Sequence, residues 1–405
     1  MLSDYSIYTK TVMKKLFRIS SGKIIFSLFF IFLFSCRKDL QSINQPENYI
    51  DGNFSQVFDA FWNGMNNNYI FWDIDTTNWD NMYTRYKPVF EKLNLNDSND
   101  VRKSVNYFRQ MTQGLVDSHF NLSFGYNAIQ DSTVDPAYER KQRSSAFHPW
   151  NFYAPLDAAR YLDKGYISGY DSTTNAGDLR FALAGTISQK ILFFTFNEFE
   201  LKSSYASSKA NGLQPVLKYF FNYVQDPPAN IKGIILDLRG NGGGAVEDLN
   251  FLMGRMIDKP LHIGYTRYKS GNGRLDYTPW ADAVITPQSG AAALTIPIIV
   301  LADNYSVSLA ELTTMAVHSL PTGRFVGETT WGATGPLAPN EFFNGGQFTA
   351  ANFLFAYTSS SMFKYIDGNI YEGKGFPPDV SVPYNAAALR AGVDLQLEKA
   401  ISLIP

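Results

Sequence analysis

The spacing of apolar positions divides the chain into two regimes. From residue 53, Phe54, Phe58, Phe61, Met65 and Tyr69 recur every three or four positions, the signature of one helix face turned to a core. The same periodicity predicts a second helix over 79–93 and a third running through Val101, Val105, Phe108, Met111 and Leu115. Together they predict an N-terminal helical domain over 53–125. The polar, aperiodic stretch 126–147 predicts a linker. Beyond it the apolar runs become short and continuous: ILFFTF at Ile191–Phe196, IILDL at 234–238, and 296–301. Such runs are strands buried on both faces. A helix over 216–224 separates the first two and stops before Pro227-Pro228, and another from about 308 to 319 follows the third. A strand pair between 348 and 366 and a terminal helix over 394–403 complete the pattern, which predicts an α/β core across 148–405.

The amino terminus has a different logic. Lys10, Lys14, Lys15, Arg18 and Lys23 precede IIFSLFFIFLFS, which ends at Ser35. That run is shorter than the roughly 20 residues a membrane-spanning helix needs. Basic flank, short apolar core and small residue predict a signal peptide over 1–35. Cys36 follows Leu33-Phe34-Ser35 directly, which resembles a bacterial lipobox, whose cysteine is lipidated and becomes the first mature residue. Residues 36–52, polar and without periodicity, then read as a tether. The expected location is the cell envelope, lipid-anchored at the outer membrane or periplasmic face of a Gram-negative bacterium.

Composition narrows the chemistry. A formal net charge of -2 gives no polyelectrolyte footprint, so nucleic acid is not an expected partner. A single cysteine excludes an intramolecular disulfide framework and any zinc site built on two thiolates.

Four segments carry candidate chemistry. In GIILDLRGNGGG (233–244) a buried strand runs into a glycine cluster, able to aim backbone amides at one point or simply to turn tightly. It is neither a P-loop nor GxGxxG. In LADNYSVSLAEL (301–312) a strand ends and a helix opens near Ser308, a place for a helix cap or for a nucleophile beside free amides. Asp117-Ser118-His119 closes the third predicted helix. Of the four histidines, His318 lies ten positions beyond Ser308 on one helix, about 15 Å away. His148 and His262 sit in segments without other polar company, so His119 has the strongest context. In YEGKGFPPDVSVP (371–383), Glu372 precedes a rigid glycine-proline turn.

In their order along the chain these segments resemble the C-terminal processing peptidase and tricorn-like family of serine peptidases. GIILDLRGNGGG matches its strand-glycine element, NYSVSLAE its nucleophile segment, GETTWGATG its Gly-Glu-Thr element, and Glu372 to Asp379 its closing Glu-Gly-x-Gly-x-x-Pro-Asp pattern. The resemblance implies a crotonase-like α/β catalytic core with an N-terminal helical domain, no metal or organic cofactor, and a peptide or unfolded-protein substrate. Residue by residue it implies Ser308 as nucleophile and the amides of Leu309 and Gly243 as oxyanion hole. One branch activates its serine with a lysine after Gly-Glu-Thr, where this chain has Ala333. The tricorn-like branch uses a histidine preceded by serine, matched by Ser118-His119, and a glutamate, matched by Glu372. The resemblance therefore implies His119 as general base, oriented by Ser118 and Glu372. The stretch between 125 and 230 has no recognisable PDZ carboxylate loop. A non-catalytic ligand- or peptide-binding lipoprotein on the same fold is the alternative. If Cys36 is the lipidated residue, globomycin should leave the full-length precursor unprocessed in expressing cells; normal processing in its presence, seen by immunoblot, would refute the lipobox.

Overall fold

The structure, a computed structural model, describes residues 53–172, 179–209, 211–271, 273–338 and 345–405. The predicted signal segment, Cys36 and the tether lie outside the described residues.

Three helices open the described chain: α1 (Phe54–Asn68), α2 (Trp79–Phe90) and α3 (Ser98–Thr112). Each starts where an Asx side chain caps it. Asn53 Oδ1 accepts from Gln56 N at 3.1 Å while Gln56 Oε1 accepts from Asn53 N at 3.0 Å, a reciprocal box that satisfies two orphan amides. Asn78 and Asp97 cap the other two. The apolar stripe read from the sequence is the buried one: Phe54, Phe58, Phe61 and Met65 are all inaccessible to solvent. The stretch 126–147 is more ordered than a linker. It holds strand β2 (Thr133–Val134), paired with β1 (Asn121–Phe124), and a short helix α4 (Pro136–Lys141).

The α/β core is a seven-stranded sheet. Its members are β3 (Ile167–Ser172), β4 (Leu179–Ile187), β5 (Ile191–Phe196), β6 (Gly233–Asp237), β9 (Ile298–Ala302), β10 (Gly323–Gly327) and β14 (Val380–Ser381), in the order β14-β10-β9-β6-β5-β4-β3. From β5 to β14 neighbours run parallel, while β3 and β4 add antiparallel. Strands β5, β6 and β9 are buried at every position, which is why their sequences read as unbroken apolar runs. Helices α5 (Leu213–Gln225) and α6 (Leu309–His318) pack on one face, with Phe194 stacked on Phe220 at 4.2 Å. The terminal helix α7 (Leu395–Ser402) covers the other face through Leu397 and Ala400. Within 150–200, the strands at Ile167–Ser172, Leu179–Ile187 and Ile191–Phe196 thus belong to the central sheet. Two smaller sheets flank it: β13-β7-β8 (Ser361–Tyr365, Leu261–Tyr268, Ala281–Ile285) and β11-β12-β1-β2, whose β11 and β12 are Phe348–Ala350 and Leu354–Tyr357.

That last sheet joins distant parts of the chain. Phe348, Phe353, Leu354 and Met362 share one core with α1–α3. The Phe353 ring meets Phe54 at 5.3 Å and Phe124 at 6.0 Å, and a Cβ placed on Gly64 would strike the Phe348 ring at 2.2 Å. Phe353→Ala should cost roughly 3–5 kcal/mol, read as a lower urea midpoint, although Phe353 is remote in sequence from every helix it supports.

Candidate active site

Ser308 stands between β9 and α6. The turn that delivers it is stitched to the glycine turn after β6. Val307 N donates to Asn241 O at 2.9 Å, Gly240 N donates to Asp303 Oδ1 at 3.0 Å, and Ser306 Oγ donates to Leu238 O at 2.8 Å. Ser308 itself has φ 58° and ψ −116°, a conformation that costs a non-glycine residue of order 1–3 kcal/mol and persists only where surroundings over-determine it. It holds the side chain at the helix N-terminus, facing Gly243. Gly243 has φ 90°, and a Cβ there would lie 2.7 Å from Ser308 Cβ and 3.0 Å from Leu309 N. Only glycine permits that approach.

Gly243 and Leu309, the two residues expected to form an oxyanion hole, are therefore adjacent, but their amides differ. Among the described residues Leu309 N–H has no acceptor, as befits the first turn of a helix. Gly243 N–H already donates to Asn241 Oδ1 at 2.8 Å.

Two buried carboxylates organise what surrounds the serine. Glu311, one turn into α6, accepts from Ser308 N at 3.1 Å, Thr330 Oγ1 at 2.6 Å, Gly332 N at 2.6 Å and Ala333 N at 2.7 Å. Glu372 accepts from Thr334 N at 2.7 Å and Gly335 N at 2.8 Å, and its other oxygen takes Ser118 N at 2.7 Å. Burial pushes both carboxyls up, and for Glu372 the nearby Asp117 charge adds to the effect. Trp331 spans the same gap: its N–H donates to Ser306 O at 3.0 Å and its Nε1 to Ser118 O at 3.4 Å.

His119 is reached through this scaffold. Its backbone N–H donates to Asp117 Oδ1 at 2.9 Å, and its Nδ1 lies 3.4 Å from Ser359 Oγ. Ser359 Oγ in turn donates to Asp117 Oδ1 at 3.0 Å, while Asp117 Oδ2 accepts from Thr358 Oγ1 at 2.6 Å and Ser359 N at 2.8 Å. His119 Nε2 is buried with no hydrogen-bond partner among the described residues, Ser308 Oγ included. Burial lowers the imidazole pKa, and the Asp117 charge partly restores it.

The orienting groups differ from those expected. Ser118 Oγ donates to Val116 O at 3.4 Å, and Glu372 grips the Ser118 amide rather than the ring. Asp117, Thr358 and Ser359 hold the histidine instead. Their one sequence signal was the run of four hydroxyls at 358–361. His148, read as lacking polar company, has it: Nε2 sits 2.8 Å from Glu328 Oε2 and the ring stacks on Tyr384 at 3.9 Å. Position 333 is a buried alanine bonded to Glu311 through its amide.

Asp117, His119 and Glu372 bring one potential metal-ligand atom each within 4.8 Å of the others. All four carboxylate oxygens already accept N–H or O–H groups, so a cation would have to displace bonds that hold the loops together. The trio is a hydrogen-bonded frame for the imidazole.

Residues 193–382 match the sequence model of peptidase family S41, and residues 51–98 that of the tricorn protease C1 domain. Over residues 193–382 the chain is similar to peptidase family S41. Among curated proteins, it is 30% identical over 151 residues to the carboxy-terminal processing protease CtpA of Bacillus subtilis, covering 37% of this chain and 28% of that protein. It is 25% identical over 194 residues to the tricorn protease of Thermoplasma volcanium, 48% of this chain and 16% of that one. The chain thus matches less than a third of the length of either relative. Among solved structures, one from Parabacteroides merdae superposes with a TM-score of 0.64 at 23% identity, covering 87% of this chain and 97% of that one. Mature CPAF complexed with lactacystin superposes with a TM-score of 0.57 at 12% identity, again over 87% and 97%. These likenesses place the α/β architecture among S41 peptidase folds. Gly243→Ala should be destabilising by about 1–3 kcal/mol in a urea titration, whereas Gly242→Ala, whose Cβ meets nothing within 4 Å, should be close to neutral in the same measurement.

Proposed function

We propose that the protein is an exported serine peptidase that cleaves peptide bonds through an acyl-enzyme on Ser308, with His119 as general base and Cys36 as lipid anchor. One observation carries the catalytic part. A serine held at positive φ presents its hydroxyl beside the free Leu309 N–H, while a buried imidazole nitrogen, His119 Nε2, stands without a partner on the loop tied to it through Trp331 and Glu372. Unfilled valences of this kind are costly unless used.

The hydrogen bonds around Asp117 assign the imidazole's tautomer. Ser359 has one proton and gives it to Asp117 Oδ1, so toward His119 it can only accept. Nδ1 then carries the hydrogen, and Nε2 keeps its lone pair for a proton. As substrate enters, Ser308 Oγ attacks the scissile carbonyl carbon and passes its proton to Nε2. The oxyanion of the tetrahedral intermediate faces Leu309 N–H, and Gly243 N–H joins when it releases Asn241. Nε2 returns the proton to the departing amine nitrogen as the C–N bond breaks. Water then attacks the ester, again giving its proton to Nε2, and Ser308 Oγ recovers it. Hydrogen bonds of this kind are often open in a ligand-free enzyme and close in the Michaelis complex.

A fluorophosphonate probe on the soluble chain from residue 37 should label wild type and fail on Ser308→Ala and His119→Ala. Absence of labelling on folded wild type would favour the non-catalytic binding alternative. The base works only when neutral. Because burial lowers its pKa, the rise of labelling rate with pH should fall below the ordinary histidine value of about 6.5. Asp117→Asn removes the charge that favours the imidazolium and should move that rise further toward acid.

A further inference from the structure

The short helix α4 places one cation beside the site that the mechanism does not use. Asp135 caps the helix, Arg109 pairs with Glu139 at 2.9 Å, and Arg140 Nη1 donates to Leu115 O at 2.8 Å. These contacts fix the helix and leave its last residue, Lys141, directed at the indole of Trp331, with Nζ 4.8 Å from the ring centroid. That indole is the one bridging the Ser308 turn and the His119 loop. Three more rings surround it: Tyr138 stacks at 6.5 Å, Phe147 lies at 6.0 Å and Tyr305 at 6.3 Å.

Lys141 differs from most part-buried cations among the described residues. Arg140, Arg255 and Lys269 donate to backbone carbonyls, whereas Lys141, like Lys364 over Tyr265 and Trp280, rests on aromatic rings. Lys87, Arg109, Arg239, Arg267 and Arg274 each lie against a carboxylate. Among the described residues Lys141 Nζ has no carboxylate or carbonyl within hydrogen-bond reach, although burial lowers its pKa. The buried Glu311 is the acid that acts on it across the site, and Glu311 is already saturated by four donors. A part-desolvated ammonium against an aromatic wall gains most from an anion that brings apolar neighbours.

We infer that Lys141, with Trp331, Tyr138 and Phe147, forms a subsite for a carboxylate of the substrate, and so selects peptides that place an acid beside an apolar side chain. This rests on the peptide-substrate reading above. The carboxylate has two sources, the peptide's own C-terminus and an Asp or Glu side chain. Lys141 is a binding residue here and takes no part in proton transfer.

The test separates this inference from the peptidase assignment by using Ser308→Ala, which cannot turn over. A synthetic decapeptide library, each member made as free acid and as C-terminal amide and with Glu or Gln at internal positions, is panned on the full soluble chain. Pairs of hits are then measured by calorimetry. Free acids binding at least tenfold tighter than amides would identify the terminal carboxylate, and Glu over Gln by that margin a side chain. In Ser308→Ala/Lys141→Met the preference should collapse toward one, and in Ser308→Ala/Lys141→Arg it should survive, with equal urea midpoints showing intact folds. No bound peptide, or a Lys141→Met profile equal to its parent's, overturns the inference. Fluorophosphonate labelling of wild type reports separately on the serine.

Discussion

Glu311 and Glu372 grip neighbouring halves of the segment 330–335, and the geometry of the site depends on that grip. Each carboxylate is removed from water, a position tenable only because each accepts backbone amides from two or more directions. Glu311 joins the segment to the serine's own amide, and Glu372 joins it to Ser118, the residue before the histidine. Ser308 and His119 lie 189 positions apart in the sequence, and this pair of buried acids ties the turn of the one to the loop of the other. A side chain with fewer acceptors at either place would leave several buried N–H groups unpaired at once.

A second buried charge cluster secures the opposite wall. Arg239 follows β6 immediately and precedes the glycine turn. Its guanidinium reaches Asp237, Asp394 and Asp157 at 2.6, 2.8 and 3.4 Å and lies 3.7 Å above the Tyr153 ring. Asp394 also caps α7, so the central strand, the terminal helix and the turn facing Ser308 share one anchor. Three acids around one cation leave excess negative charge, and burial accordingly drives the Asp157 carboxyl well upward. The strain at Ser308 is sustained between these two rigid walls.

Much of this was readable in one dimension. The stripe Phe54-Phe58-Phe61-Met65 and the unbroken run ILFFTF predict α1 and β5 because helix and strand periods are local properties. Ser308, Gly243, Leu309, His119 and Glu372 could be singled out because the segments that hold them follow one another in a distinctive order. What eluded the sequence is pairing across distance. Nothing in Thr358-Ser359 says that these hydroxyls will close on Asp117, some 240 positions earlier. The stretch 150–200 reads as β-rich, but strands β3 and β4 could not be delimited, because their alternation is broken by polar and glycine positions such as Gly169 and Gly185. The ring wall around Trp331 was equally silent, since aromatics in a chain this rich in them look like core.

The core shared by α1–α3 with residues 348–362 bears on how the molecule comes into being. A chain made from its amino end produces those three helices early and the aromatic rows that seal them last. Until Phe348 and Phe353 emerge, the apolar faces of the helices are only partly covered, by one another and by residues 115–134, and the closing contacts must span most of the polypeptide. High contact order of this kind slows folding and prolongs the life of sticky intermediates. On the export proposed above, slow closure would be an advantage: the long-range contacts would postpone the native state until the whole sequence had passed a membrane.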